Sequence, residues 1–290
     1  ARSKDSVDRM DAIRKAMAAV KEVQSDIVDV SIGESARAAA DAFLGFETPI
    51  EGIRGWKTGW KEFDEDFDGL SKEQDIFAFA GAPNSGKSAI VTNLAVNLLI
   101  NNPQCGVIYH IMDDPRKIAY AKIMSCLTGI PIKMILRAAV DVLPYPHLMK
   151  GYKPAREWML EAMNDGRLII KGQEMGVGTG VATRLIDTTT QKTGRKLVYI
   201  ADSLHNVEDE AGGDDRRIRF TNVASWAQTV SDTRRITMIF TCELTKAGMK
   251  ERPRLHDTAE TSKIAYAFKA IGMVYNDMHV MRANARTFWV

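Results

Sequence analysis

The sequence predicts an α/β fold: a central, mostly parallel sheet with helices on both faces, preceded by short N-terminal helices. Two observations predict it. From about Gly59 onward, short apolar runs rich in Val, Ile and Phe alternate with helical patterns, and near-continuous apolar strands belong to sheets covered on both sides. The first of these runs leads straight into the glycine-containing string Gly81-Ala82-Pro83-Asn84-Ser85-Gly86-Lys87-Ser88 and then into a helical pattern, the strand–loop–helix context in which such a string binds phosphate. A length of 290 residues, with 45% hydrophobic and 26% charged, is enough for one large domain plus an appendage.

The first helix is predicted from Met10, Ile13, Met17 and Val20, which share one face at spacings of three and four. A second is announced by Ser31 with Glu34 three residues later, a capping-box pattern, and continues through Ala36, Ala39, Ala40 and Phe43. Neither can bury its apolar stripe alone, so each is expected to dock on the main domain or on a neighbouring subunit. Pro49, Gly52 and Gly55 mark a loop after them, which sets the expected boundary between residues 1–52 and a domain over 53–290. Strands are expected at Ile76–Ala80, Gly106–Ile111, Arg167–Lys171, Lys196–Ala201, Ile236–Thr241 and Ala270–Val274, with helices at 87–101, 116–128, 154–164, 179–193, 217–232 and 259–267. No internal repeat or low-complexity stretch interrupts them.

Composition excludes several classes. A net charge of +2 is far from the strongly basic balance of a chain that binds nucleic acid over its whole surface, so any such contact is local. The local candidates are Arg216, Arg217 and Arg219, and Lys246, Lys250, Arg252 and Arg254. No run reaches the roughly 18 apolar residues that span a bilayer, and Ala1-Arg2-Ser3-Lys4-Asp5 does not begin a secretory signal. The expected location is the cytoplasm or nucleoid, without a membrane partner. Cys105, Cys126 and Cys242 have no CxxC or His partner at metal spacing and read as reduced and structural. The histidines outside the motifs, including His110, are scattered without ligand spacing.

The string from Gly81 to Ser88 fits G-x-x-x-x-G-K-[ST]. In such a loop the backbone N–H groups from Gly81 to Ala89 curl around phosphate oxygens, Lys87 reaches the β- and γ-phosphates, and the Ser88 hydroxyl ligates magnesium. The expected ligand is therefore ATP with Mg2+. A carboxylate must help hold that ion, and Asp202, closing the apolar run Leu197–Ala201, is placed for it. Hydrolysis also needs a carboxylate to orient or deprotonate water, which Asp113 or Asp114 could supply at the end of Val107–Met112. Glu243, at the end of Ile236–Thr241, falls where a γ-phosphate sensor would sit.

With these residues in place, the chain resembles the ATPase domain of DnaB-type replicative hexameric helicases, with its RecA-like core, over nearly everything from Ile53 onward. The most specific string is Ile53-Arg54-Gly55-Trp56-Lys57-Thr58-Gly59-Trp60-Lys61-Glu62-Phe63-Asp64 with Gly69-Leu70, which is similar to the family's I-x-G-x-x-T-G-x-x-x-L-D and a later G-L. The family's Ser-Leu-Glu-Met strand end is matched by Ile111-Met112-Asp113-Asp114-Pro115, which points to Asp113 as the base, one methylene shorter than the family's Glu. Asp202-Ser203-Leu204-His205-Asn206 resembles Asp-Tyr-Leu-Gln-Leu, and Cys242-Glu243-Leu244 resembles the Ser-Gln-Leu sensor with Glu in place of Gln. Arg252-Pro253-Arg254-Leu255-His256-Asp257 resembles a DNA-facing segment of the family. The resemblance also implies an arginine finger reaching into the next subunit's nucleotide, for which Arg282 is preferred over Arg286. Asp26–Gly45 resembles the linker helix that docks on an adjacent subunit.

The resemblance implies an ATP-driven, ring-forming replicative DNA helicase, hexameric, that moves on single-stranded DNA and works with a primase or a helicase loader. Two alternatives are kept: a RecA- or RadA-like recombinase or another ATPase that shares the core, such as a clock-type ATPase, and a module that binds ATP to assemble without acting as a motor.

Overall fold

The computed structural model describes residues 32–47, 52–137, 146–209, 216–244, 253–254, 257 and 267–275. The chain divides into two compact units, Ala1–Gly52 and Ile53–Val290. In the first, helix α1 spans Ile32–Glu47, directly after the Ser31 capping signal. The helix expected through Met10 and Val20 lies outside the described residues.

In the second unit six strands form one sheet: β1 (Asp75–Gly81), β2 (Cys105–Ile111), β3 (Leu168–Lys171), β4 (Lys196–Asp202), β5 (Thr237–Glu243) and β6 (Ala270–Val274). Every pairing is parallel, and the order is β3-β2-β4-β5-β1-β6. All six coincide with the apolar runs that predicted them, to within a residue or two at each end. The reason is burial on both faces, since side chains alternate between two cores. Phe77, Phe79, Val107, Tyr109, Ile111, Val198 and Ile200 enter one core, while Ile76, Ala78, Ala80, Ile108, Tyr199 and Ala201 enter the other.

The first core is covered by α3 (Lys87–Asn101), α4 (Arg116–Thr128) and α6 (Pro146–Asn164), the second by α7 (Thr179–Thr193) and α8 (Arg216–Arg234). Helices α3, α4 and α7 fall on their predicted spans. Helix α6 begins eight residues before the expected residue 154, because Pro154 lies inside it rather than starting it. Proline's fixed φ suits a helix; what is lost is one bond to the carbonyl of residue 150, and Lys150 is exposed, so water can serve that carbonyl. Two short helices were not foreseen, α2 (Lys61–Phe67) and α5 (Ile132–Arg137), because fewer than two turns leave little periodicity to read. The helix expected at 259–267 lies outside the described residues but for its last position.

The family-specific string before β1 folds into a buckle. Asp64 on α2 accepts hydrogen bonds from the Thr58 N–H (2.8 Å), the Thr58 hydroxyl (2.7 Å) and the Gly59 N–H (3.1 Å). Trp56 pairs with Leu70 across a short antiparallel bridge, and Gly55 lies so close to this bridge that a Cβ on it would come within 2.4 Å of the Leu70 carbonyl oxygen. These residues brace the segment that leads into β1.

Candidate functional site: the carboxyl edge of the sheet

Parallel strands bring the candidate residues to one level. Gly81 pairs with Glu243 and Ile111 with Asp202, so the phosphate-loop glycine, the sensor candidate and the metal-ligand candidate share the carboxyl edge, where open sheets of this kind bind ligands. The strand order puts β5 between β1 and β4, which sets Glu243 between the loop and Asp202.

The loop from Gly81 to Ser88 turns tightly into α3. The Ser85 N–H bonds the Ala82 carbonyl at 3.1 Å, Asn84 takes a left-handed φ of 60°, and Gly86 caps α3 with φ 109°, which favours glycine. A Cβ on Gly81 would lie 2.4 Å from Ser85 Oγ and 2.6 Å from the Val274 carbonyl oxygen, so only glycine lets the loop close there. Ser85 is buried, and its Oγ has no hydrogen-bond partner among the described residues. Lys87 folds into the cradle, its Nζ 2.9 Å from the carbonyls of both Gly81 and Ala82. Glycine-lined space, an unsatisfied buried hydroxyl and a central ammonium fit a polyanionic phosphate ligand.

Electrostatics tie the strand ends to Lys87. Burial pulls its ammonium below the usual lysine range, and Glu243, Asp202 and Asp113 push the other way. Asp202 is buried, accepts a hydrogen bond from Thr241 Oγ1 at 2.7 Å, and is followed by a cis peptide to Ser203. Tyr109, fully buried on β2, directs its hydroxyl toward the Asp202 carboxylate. Burial and that neighbouring charge hold the phenol far above its ordinary range. Thr92 Oγ1 donates to the Ser88 carbonyl at 2.6 Å and lies 2.8 Å from the Tyr109 hydroxyl. One polar chain therefore runs from Ser88 through Thr92 and Tyr109 to Asp202 and Thr241, linking the two predicted metal ligands from below.

The two strand-end aspartates of β2 are not equivalent. Asp114 is paired with Lys122 of α4 at 3.0 Å. Asp113 instead accepts a hydrogen bond from the Asn206 amide. Its carboxyl is raised above the ordinary aspartate range, first by desolvation at the mouth of the site, although one side meets solvent, then by repulsion from Asp202, Asp114 and Glu243. Beside the loop opens a cleft of about 820 Å³, lined among others by Asn84, Lys87, Ser88, Asp114, Lys122 and Cys126. It presents two ammonium groups to whatever enters.

Of the residues singled out from sequence, Gly81 to Ala89, Asp113, Asp202 and Glu243 gather at this edge. Arg219, half-buried on α8, reaches the turn behind that edge, with its guanidinium 3.3 Å from the His205 carbonyl and over the Phe220 ring. Arg254 is exposed, and its N–H bonds the Asp257 carboxylate at 2.7 Å. Arg216 and Arg217 fall in the first turn of α8, and their side chains, like Lys246, Lys250, Arg252, Arg282 and Arg286, lie outside what the structure describes. Sequence reasoning missed Thr92, Tyr109, Lys122, Asn206 and Thr241. Thr92 was findable, four residues after Ser88 on the same helix face; the others need the register of neighbouring strands. Among the described residues no group of three or more His, Cys, Asp or Glu is placed to hold a metal ion. No described helix is long and apolar enough to cross a membrane.

A parallel sheet with a phosphate loop after β1 and carboxylates closing β2 and β4 defines a RecA-like nucleotide hydrolase. A family model, the DnaB-like helicase C-terminal domain, matches residues 55–287, and the chain belongs to that family. It is an ATP-dependent DNA helicase by class, in a family whose members bind single-stranded DNA and form oligomers. The fold is similar to that of a solved structure described as an ATPase domain, with a TM-score of 0.71 at 19% identity over 88% of this chain and 86% of that one. It is similar too to a DnaB-like replicative helicase solved in a study of its interactions with primase, with a TM-score of 0.71 at 17% identity over 97% of this chain and 67% of that one. A search of curated proteins finds no match.

Proposed function

We propose that this chain is the motor of a replicative helicase: a ring, hexameric as the resemblance implies, that hydrolyses MgATP to move along single-stranded DNA and part the duplex. The observation that carries the reading is the meeting of Lys87 with Asp113, Asp202 and Glu243 at one sheet edge. Lys87, with backbone N–H groups of the loop between Gly81 and Ala89 (Pro83 has none to give), binds the phosphates. Ser88 and Asp202 hold magnesium, which when bound neutralises charge that develops on the phosphate oxygens. Asp113 orients the attacking water and accepts its proton; the raised carboxyl makes it a better base than an ordinary aspartate. Asp114, neutralised by Lys122, is the weaker candidate.

Glu243 takes the sensor position. Its negative charge there is offset by Lys87, which it favours in the charged form. Arg282 is assigned to the neighbouring subunit's nucleotide as arginine finger, which makes each site a shared one. DNA contact is assigned to phosphates through Arg216, Arg217, Arg219, Lys246, Lys250, Arg252 and Arg254, so affinity should fall steeply with salt and vary little with sequence. By likeness to the relative studied with primase, a primase or a helicase loader is the expected protein partner.

The test is unwinding of a forked duplex by the assembled ring with ATP and Mg2+. Strand separation that is lost in Lys87→Ala is the expected result. A fully assembled ring that hydrolyses ATP yet never separates strands would overturn the motor reading.

A further inference from the structure

The turn after Asp202 touches more of the site than its sequence suggests. Leu204–Asn206 is a single 3-10 turn, closed by Asn206 N–H to Ser203 O at 3.3 Å and Val207 N–H to Leu204 O at 3.2 Å, with Leu204 and Val207 fully buried on either side. It cannot shift without disturbing the second core. From it, Asn206 donates its amide to the Asp113 carboxylate. The neighbouring His205 accepts the Glu243 N–H on Nδ1 at 3.4 Å, and its ring meets Phe220 edge-on at 5.0 Å. The proposed base and the proposed sensor, on different strands, are thus held by adjacent residues of one turn.

We propose that Asn206 is a positioning residue for hydrolysis: it fixes the Asp113 carboxylate over the phosphate loop, while His205 beside it keeps Glu243 in register with that carboxylate. The inference rests on the assignment of Asp113 as base. Its chemistry distinguishes the two aspartates. Lys122 pairs with Asp114 through a full positive charge at 3.0 Å, which orients that carboxylate toward α4. An amide orients without neutralising, so Asp113 is aimed and remains able to accept a proton. The backbone here needs such help. Met112 N–H is bound to the Asp202 carbonyl at 2.7 Å and the Asp114 carbonyl accepts from Gln173 N–H at 3.4 Å, so both neighbours are tied by backbone bonds, whereas the Asp113 carboxylate is held by a side chain from across the sheet edge.

The test is a double-mutant cycle on steady-state and single-turnover ATP hydrolysis by the whole chain. Asn206→Ala should lower kcat about tenfold with the KM for MgATP within about twofold. Asn206→Ser, which keeps a donor, should recover part of the loss. Because the lost bond favoured the ionised carboxylate, the acid limb of the pH–kcat profile should move to higher pH in Asn206→Ala. In an Asp113→Asn background the same Asn206→Ala change should do almost nothing, since Asn206 acts through Asp113. Equal losses in both backgrounds, or an unmoved acid limb, would overturn the proposal and make the turn a scaffold. If Asp113→Asn itself hydrolyses at the unmutated rate, what fails is the base assignment, a separate and distinguishable outcome.

Discussion

Ile53–Leu70 and the carboxyl edge of the sheet each keep a buried aspartate, and they treat it in opposite ways. Asp64 accepts three hydrogen bonds within one local turn. Asp202 is buried as deeply but has Thr241 and Tyr109 on one side and the repelling carboxylates of Asp113 and Glu243 nearby. The first arrangement uses its polarity for shape. The second leaves negative charge uncompensated within the chain, which suits a site that takes up a cation, and accepts a cost in stability for it. Sequence specificity and proposed chemistry are therefore separable: the string most diagnostic of the family is a buckle, and the commonplace Asp-terminated strands are those we propose to carry the reaction.

Breaking the two regions should give different signatures, and the largest effect belongs to the edge. Lys87→Ala should reduce ATP hydrolysis on the order of 10³-fold, measured by phosphate release, with the circular dichroism spectrum unchanged. Asp113→Asn should cost on the order of 10²-fold in kcat with nucleotide affinity retained; a larger loss in Asp114→Asn would transfer the role of base. Stability should move the other way. The folded-state carboxyl of Asp113 is raised, so its ionisation opposes folding at pH values above that raised pKa, and the penalty vanishes below the ordinary aspartate value. Asp113→Asn should accordingly raise the thermal midpoint near pH 7 and leave it unchanged at the acid end of the stability range.

Asp64→Ala should show the converse pattern. It leaves the Thr58 N–H, Thr58 hydroxyl and Gly59 N–H without their acceptor in a buried turn, a loss of about 2–3 kcal/mol in chemical denaturation. The fraction that stays folded should bind nucleotide with nearly normal affinity. If hydrolysis collapses while stability holds, the buckle is part of the site and the contrast between the two regions is wrong.

This contrast also explains what the sequence could tell. Strands such as Leu197–Asp202 were legible because burial on both faces forces an unbroken apolar run, and helix α3 because a phosphate loop of this type opens directly into a helix. The phosphate cradle was legible because its glycines answer a steric demand: Gly81 has no room for a Cβ. The role of Asn206 was hidden, since its partner Asp113 lies 93 residues away and meets it only through the β2–β4 register. Tyr109 was hidden for a related reason. Alternation places it in the apolar core, where it reads as bulk, and only the opposing strand shows that its hydroxyl arrives at Asp202.

Tyr109→Phe therefore gives the smallest and most discriminating test of the comparison. Phenylalanine fills the same fully buried space, so packing is kept and a single hydroxyl is removed. Asp202 keeps its bond from Thr241 and loses the donor beneath it, while Thr92 keeps the Ser88 carbonyl. A buried hydrogen bond to a charged group is worth about 1.5 kcal/mol or more, part of which magnesium can restore by binding the freed carboxylate. The expected outcome is a fall of about threefold in the Mg2+ concentration that half-saturates hydrolysis, with the maximal rate nearly intact. A loss of stability with no change in magnesium dependence would mean that the polar chain from Ser88 to Thr241 only braces the fold, and that the edge handles Asp202 as the buckle handles Asp64.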